Sequence, residues 1–204
     1  MRLGLLGPAH EREDALEDAV EFLLREAGVD RAVYLGVDRA LDTVIHRRAE
    51  RLVGASPDDA NLWQRATDRC ARATPAEIDA YLAAERERRA LSIFESLPDD
   101  GTRLIELLDG KVLVMIHDKG KLDEDDILPA SLIAFGRSRQ PLVRQVGSRW
   151  FLSPGSLEDF GIMTLEDSDD GIHLALFDRT RQEIRRERLL ASRGARVRVA
   201  GTEA

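Results

Sequence analysis

Leu132-Ile133-Ala134-Phe135-Gly136-Arg137-Ser138-Arg139-Gln140-Pro141 is an apolar run broken by a glycine and two closely spaced arginines. Nine residues on comes Trp150-Phe151-Leu152-Ser153-Pro154-Gly155-Ser156. The pair reads as a buried strand, a glycine turn, a short hairpin and a second tight turn at Pro-Gly. Such turns at the ends of buried strands are where an α/β protein carries its site.

Upstream, Arg2–Leu6 is a short apolar run, and Gly7-Pro8-Ala9-His10 leaves it as a loop. From Glu11 to Ala27, Leu16, Ala19, Val20, Leu23, Leu24 and Ala27 recur at helical spacing, with Gly28 as the stop. Arg31–Leu35 is a second apolar run and turns out through Gly36-Val37-Asp38. A strand–helix–strand unit of this length implies parallel strands. Leu41–Arg51 has a helical pattern, and Leu52-Val53-Gly54 is expected as a short third strand. Asp58–Leu97 reads as a helical insertion, with Trp63 expected in a core or at its rim and Cys70 as a small buried hydrophobe. Inside it, Thr74-Pro75-Ala76-Glu77 is a helix start with a capping box. Glu85-Arg86-Glu87-Arg88-Arg89 is expected as a solvated face supported by a Glu85–Arg89 pair.

After Pro98–Gly101 the pattern turns to strands: Arg103–Leu108, Lys111–Ile116, Ser131–Phe135, Leu142–Val146, Arg149–Leu152, Gly161–Glu166 and Ile172–Asp178. Asp109-Gly110 is a hairpin turn. The whole predicts a two-sheet α/β sandwich, parallel in its first half and largely antiparallel in its second. The main domain is expected over residues 1–178, with the helical insertion at 58–97. Residues 179–204 form a C-terminal extension that frays from Arg193.

Acids outnumber bases, 38 to 30, for a formal net charge of −8, so the chain lacks the basic surface that general nucleic-acid binding needs. Cys70 is the only cysteine, which excludes an internal disulfide and a thiolate zinc site. No apolar run is long enough for a membrane span, and the short run after Met1 reads as a strand rather than a signal peptide. The expected location is cytoplasmic. No Gly-x-Ser-x-Gly elbow accompanies Ser138 or Ser156, so a Ser-His-Asp triad is not indicated, and Gly4-Leu5-Leu6-Gly7 lacks the spacing of a phosphate loop. Of the four histidines, His46 and His173 read as surface residues. His10 and His117 fall in loops expected to converge.

In order and spacing these turns resemble those of the calcineurin-like metallophosphoesterases, closest to the small bacterial and archaeal phosphodiesterases, over roughly residues 1–178. The family's first strand ends in Asp-x-His, where this chain has Pro8-Ala9-His10. Its second ends in Gly-Asp, here Gly36-Val37, and its third in Gly-Asn, placed here at Gly54-Ala55. His-Gly then corresponds to His117-Asp118, Gly-His-Thr-His to Gly136-Arg137-Ser138-Arg139, and Asn-Pro-Gly-Ser to Ser153-Pro154-Gly155-Ser156. The glycines and the Pro-Gly turn are kept, whereas most of the ligand positions are not.

The resemblance implies two metal ions about 3.5–4 Å apart, bridged by a carboxylate and completed by imidazoles and an amide. His10 and His117 alone cannot hold two divalent ions, and arginine has no free lone pair to give. Asp38 and Asp118 each lie one residue beyond a ligand position. The expectation is therefore a metallophosphoesterase-like protein without catalytic residues, metal or other cofactor. It would act as a scaffold, regulatory or protein-binding subunit, with a protein partner or a second copy of itself. The alternatives are a phosphodiesterase or phosphatase with a reduced or displaced metal site, and a metal-free sensor of a phosphate-containing ligand. His10, His117, Arg137 and Arg139 are the expected anion-binding residues. Their rival role is structural, with the arginines paired to Asp38 and Asp118.

Overall fold

The computed structural model describes residues 1–191, and two mixed sheets face each other across one apolar core. The first sheet takes the order β11-β10-β9-β1-β2-β3. In it β1 (Arg2–Leu6), β2 (Arg31–Tyr34) and β3 (Phe94–Ser96) run parallel. The strands β9 (Ile162–Ser168), β10 (Gly171–Phe177) and β11 (Glu183–Ala191) continue it as an antiparallel meander. The second sheet runs β4-β5-β6-β8-β7. There β5 (Lys111–Ile116), β6 (Ala130–Phe135) and β8 (Arg149–Ser153) are parallel. They are flanked by β4 (Leu104–Leu108) and β7 (Leu142–Val146), which run antiparallel.

Alternation along the strands builds the sandwich. Leu3, Leu5, Val33, Met163 and Leu165 of one sheet meet Leu113, Met115, Leu132, Ala134 and Leu152 of the other. The outer face of β1 and β2 is closed by α1 (Glu13–Phe22, continuing as a π turn to Ala27) and α2 (Ala40–Val53). Leu16, Val20 and Leu23 pack there with Leu41, Val44 and Tyr34. This is the expected two-sheet α/β sandwich. Parallel pairing is not confined to the first half, because β5, β6 and β8 repeat it in the second. Strand β11 also pairs along β10, so the first sheet reaches past residue 178. The expected fraying from Arg193 lies outside the described residues.

The third strand is not at Leu52-Val53-Gly54. Those residues end α2, where Val53 continues the buried face begun by Leu41, Val44 and Ala49. Gly54 closes the helix in the left-handed region, its N–H on the Glu50 carbonyl at 2.8 Å. The true third strand, β3, follows the insertion, so the helical segment ends at Ile93 rather than Leu97. Leu91, Phe94 and Leu97 sit three residues apart and mimic a helix face, and β3 is too short to assert its own period.

The insertion holds α3 (Leu62–Cys70), a short helix with no buried residue, and α4 (Pro75–Ala90), capped as expected by Thr74 and Glu77. Trp63 is 81% exposed and Cys70 is exposed, so neither is a core residue. The charge run is a solvated face only in part: Arg86 and Arg89 are exposed, but Glu85 and Arg88 are each only 3% exposed. Arg88 Nε donates to Glu85 Oε2 at 2.7 Å, while Tyr81 Oη and Arg65 Nη2 both donate to Glu85 Oε1 at 2.8 Å. Glu85 therefore pairs with Arg88, not Arg89, and the insertion packs around ions rather than apolar side chains. Burial opposes ionisation of Glu85, but the bonds from Arg88, Arg65 and Tyr81 outweigh it and hold its pKa at about 2. Among the described residues no helix is long and apolar enough to cross a membrane.

Glu85→Gln removes one half of a buried pair and is expected to cost about 3 kcal/mol. Because the folded pKa of about 2 lies below the ordinary glutamate value, wild type holds this stabilisation above about pH 4.3. It loses it as the pH falls toward 2. Chemical denaturation across that range should show a pH-dependent fall in wild type that is smaller in Glu85→Gln.

Candidate functional site at the carboxyl ends of the strands

The parallel strands of both sheets bring their following loops together, and a chain of hydrogen bonds ties those loops. The Leu35 carbonyl after β2 accepts from His117 Nδ1 after β5 at 2.7 Å. A carbonyl can only accept, so Nδ1 carries the proton and the neutral ring presents Nε2 as its acceptor. The Gly136 N–H after β6 reaches the Ile116 and His117 carbonyls at 3.1 Å, and the Arg137 N–H reaches the His117 carbonyl at 2.7 Å. The Ser156 N–H after β8 bonds the Arg139 carbonyl at 3.0 Å, and the Leu157 N–H bonds the Pro8 carbonyl after β1 at 3.1 Å. Buried Tyr34 takes the Ala9 N–H at 2.8 Å and donates to Asp38 at 2.9 Å. Burial pushes the Tyr34 phenol well up, so it remains a proton donor.

Two glycines make this closeness possible. A Cβ on Gly136 would lie 2.1 Å from the Leu35 carbonyl oxygen, and one on Gly7 would lie 1.7 Å from the Gly155 carbonyl oxygen. Both obstacles are backbone, so neither can yield as a side chain would.

His117 and Arg137 come together, and Asp118 lies between them in function. Its carboxylate pairs with the Arg137 guanidinium and also takes the Gly120 N–H at 2.9 Å. The Gly120 bond and then Arg137 hold the Asp118 carboxyl below the ordinary range. Arg139 is exposed, and among the described residues its guanidinium has no carboxylate partner within 4 Å. Asp38 takes Tyr34 and caps the Ala40 N–H at 3.1 Å, so the expected pairing of arginines with Asp38 is not made, whereas that with Asp118 is. His10 is exposed in a tight turn, where it and Glu11 both have positive φ, 46° and 69°. No hydrogen bond joins His10 to His117 or to the arginines among the described residues.

Two cations escaped the sequence reading, although Lys119-Gly120-Lys121 directly follows His117-Asp118. Lys119 Nζ lies 4.6 Å from the centre of the Phe135 ring, and Lys121 pairs with Asp100 at 2.6 Å. That second pair joins the β5 loop to the β3 loop, whose Asp99 and Asp100 went unnoticed because β3 was sought at residue 52. Arg137 and Lys121 are thus offset by Asp118 and Asp100, leaving Lys119, Arg139 and, on the β2 loop, Arg39 without a carboxylate within 4 Å among the described residues.

The residues here do not fit a two-metal centre. Where the resemblance puts two carboxylates stand Pro8, which has no side-chain lone pair to give, and Val37, packed against the core between the sheets. The β3 loop offers Leu97-Pro98-Asp99, and Asp99 takes the Gly101 and Thr102 N–H groups at 2.8 and 2.7 Å. Among the described residues no three His, Cys, Asp or Glu side chains gather as a metal site.

No protein-family model matches this chain, and no curated protein matches it. Solved structures of similar arrangement include a novel archaeal phosphodiesterase, 13% identical, covering 87% of this chain and 100% of its own, with a TM-score of 0.48. A predicted phosphoesterase from Streptococcus pneumoniae TIGR4 is 12% identical over 90% of this chain and 93% of its own, with a TM-score of 0.49. Wild-type Vps29 from Entamoeba histolytica complexed with zinc is 12% identical over 92% of this chain and 98% of its own, with a TM-score of 0.46.

Gly136→Ala should destabilise the protein by about 3 kcal/mol or more, since the backbone of two sheets must part to admit a methyl group. Gly101→Ala, whose new Cβ would meet only the Asp99 side chain at 3.4 Å, should change stability by less than about 1 kcal/mol. Equilibrium urea unfolding of the two variants checks the contrast.

Proposed function

We propose that this chain is a metallophosphoesterase-like protein that has exchanged its metal-binding side chains for cations and works by binding rather than by hydrolysis. The single observation that carries the reading is the exposed Arg139, which has no carboxylate within 4 Å among the described residues, on the same turn as Arg137 beside the Leu35–His117 bond. Where the family's pattern has an imidazole, this loop has a guanidinium, and a guanidinium cannot take a metal. His117 spends one ring nitrogen on the backbone, which leaves it a single acceptor.

The ligand that suits such loops is an anion: a phosphate, a sulfate or an acidic side chain. Arginine takes two oxygens at once through its planar fork. Arg139 and Lys119 supply free positive charge, Arg137 is available by exchange with Asp118, and His117 is the neighbouring imidazole. His10 stands on the adjoining β1 loop. These loops set Arg137, Arg139, Lys119 and Lys121 against Asp38, Asp99, Asp100 and Asp118, so an anion is held by the exposed donors of Arg139 and Lys119 rather than by a net positive field. The role is that of a scaffold or regulatory subunit that holds an acidic partner or a phosphate-containing ligand in the cytoplasm.

Thermal unfolding across a phosphate or sulfate titration tests the anion site. Wild type should melt higher as the anion rises, by about 2–4 °C for each kcal/mol of binding. Arg137→Ala combined with Arg139→Ala should lose most of that shift. Equal shifts in both proteins, or none in either, would make the arginines structural. In parallel, a generic phosphodiester with added Mn²⁺ should turn over at the background rate. Turnover above background that chelator abolishes would favour the enzyme with a displaced metal site.

A further inference from the structure

The two sheets have four edge strands, and three are protected against pairing with another chain. Strand β3 has only three residues. Strand β7 carries Arg144 and Gln145, and β11 carries Glu183, Arg185, Arg186, Glu187 and Arg188. Strand β4 carries a single charge, Glu106, which lies on the inner side with Leu104 and Leu108 and is paired with Arg31. Its outward side chains are Ile105 and Leu107, 63% and 60% exposed.

The free edge of β4 also has unspent backbone groups. The two-residue turn Asp109-Gly110, with φ of 47° and 65°, closes the β4–β5 hairpin on the pair Leu108 and Lys111. Antiparallel pairs alternate, so Leu104, Glu106 and Leu108 direct their backbone groups to β5, while Ile105 and Leu107 direct theirs away. Accordingly the Leu107 N–H meets its neighbour's Glu106 Oε1, at 3.3 Å, rather than a β5 carbonyl. Across the outer face, Ile105, Val114, Ile133 and Phe151 stand side by side on β4, β5, β6 and β8. This apolar row stops in solvent at Ile105.

We infer that β4 pairs antiparallel with β4 of a second copy of this chain, joining the two five-stranded sheets into one of ten strands. The sequence Arg103-Leu104-Ile105-Glu106-Leu107-Leu108-Asp109 is complementary to its own reverse. With the two-fold axis at Glu106, Arg103, whose guanidinium already pairs with Asp126 of its own chain at 2.7 Å, lies opposite Asp109 of the partner subunit, twice by symmetry. Ile105 faces the partner's Leu107 on the outer side, continuing the apolar row, and Leu104 faces the partner's Leu108 on the inner side. In this register the outward N–H and C=O groups of Ile105 and Leu107 bond each other across the interface. Moving the pairing two residues one way sets Arg103 against the partner's Lys111; moving it the other way leaves Arg103 against the partner's Leu107. Glu106 meets the partner's Glu106 at the axis, and each carboxylate is already held by the Arg31 of its own chain. The pairing does not depend on what the loops at the carboxyl ends of the strands bind.

Sedimentation of the full chain is expected to show twice the chain mass at about 100 μM and dissociation on dilution. Ile105→Lys combined with Leu107→Lys should weaken association by about 100-fold or more while leaving the circular dichroism spectrum unchanged. The register is read by mild oxidation in a Cys70→Ser background, which removes the native exposed thiol. A residue cross-links to its own copy only if it lies on the axis. Glu106→Cys should therefore form a disulfide-linked dimer, its Cα atoms about 4.5 Å apart, whereas Ile105→Cys and Leu107→Cys should not. A wild type that stays monomeric at about 100 μM overturns the proposal, as does a double-lysine variant that associates like wild type. Cross-linking at 105 or 107 in place of 106 overturns this pairing.

Discussion

The Leu35 carbonyl is the point on which the functional end of the molecule depends. It belongs to the first sheet, yet it accepts from His117 and lies against the bare Cα of Gly136, both on the second. One backbone oxygen thereby sets the distance between the two sheets where their parallel strands end. A side chain larger than hydrogen at residue 136 would force that distance open, and the His117 ring would lose its anchor. Gly7 and Gly155 make a second such approach between the β1 and β8 loops. These contacts fix the positions of Arg137 and Arg139, which otherwise sit on an exposed turn.

Charge then decides what a rigid turn of this kind can do. Divalent ions need carboxylates and free imidazole nitrogens together. On the proposed reading, Pro8 and Val37 stand where the family pattern has carboxylates, and Arg137 and Arg139 where it has imidazoles. Asp118 and Asp100 pair with Arg137 and Lys121, whereas Arg139 has no carboxylate within 4 Å among the described residues. Under the proposed function, the exposed guanidinium of Arg139 takes an oxyanion without a metal between.

The strands were readable because apolar runs such as Arg2–Leu6 and Lys111–Ile116 are bounded by turn residues, and Asp109-Gly110 fixed a hairpin without help from the rest of the fold. The glycine turns located the loops of the candidate site for the same reason. Where the reading failed, a local period misled. Leu52 and Val53 looked like a strand but finished a helix face, and Leu91, Phe94 and Leu97 looked like a helix but crossed into β3. Glu85 and Arg88 looked solvated because nothing in a charge run says which of its members another helix will cover. Ion pairs between loops, such as Asp100 with Lys121, depend on the order of strands in space and so were out of reach. Strand β11 was missed because its outward and inward positions both carry charges.

The central claim is that the scaffold of these loops is kept while their capacity for metal is not. Equilibrium dialysis of the purified chain against Mn²⁺ and against Zn²⁺, followed by elemental analysis, addresses it most directly. Far less than one ion per chain should be retained for either metal. Two tightly retained ions per chain would contradict it.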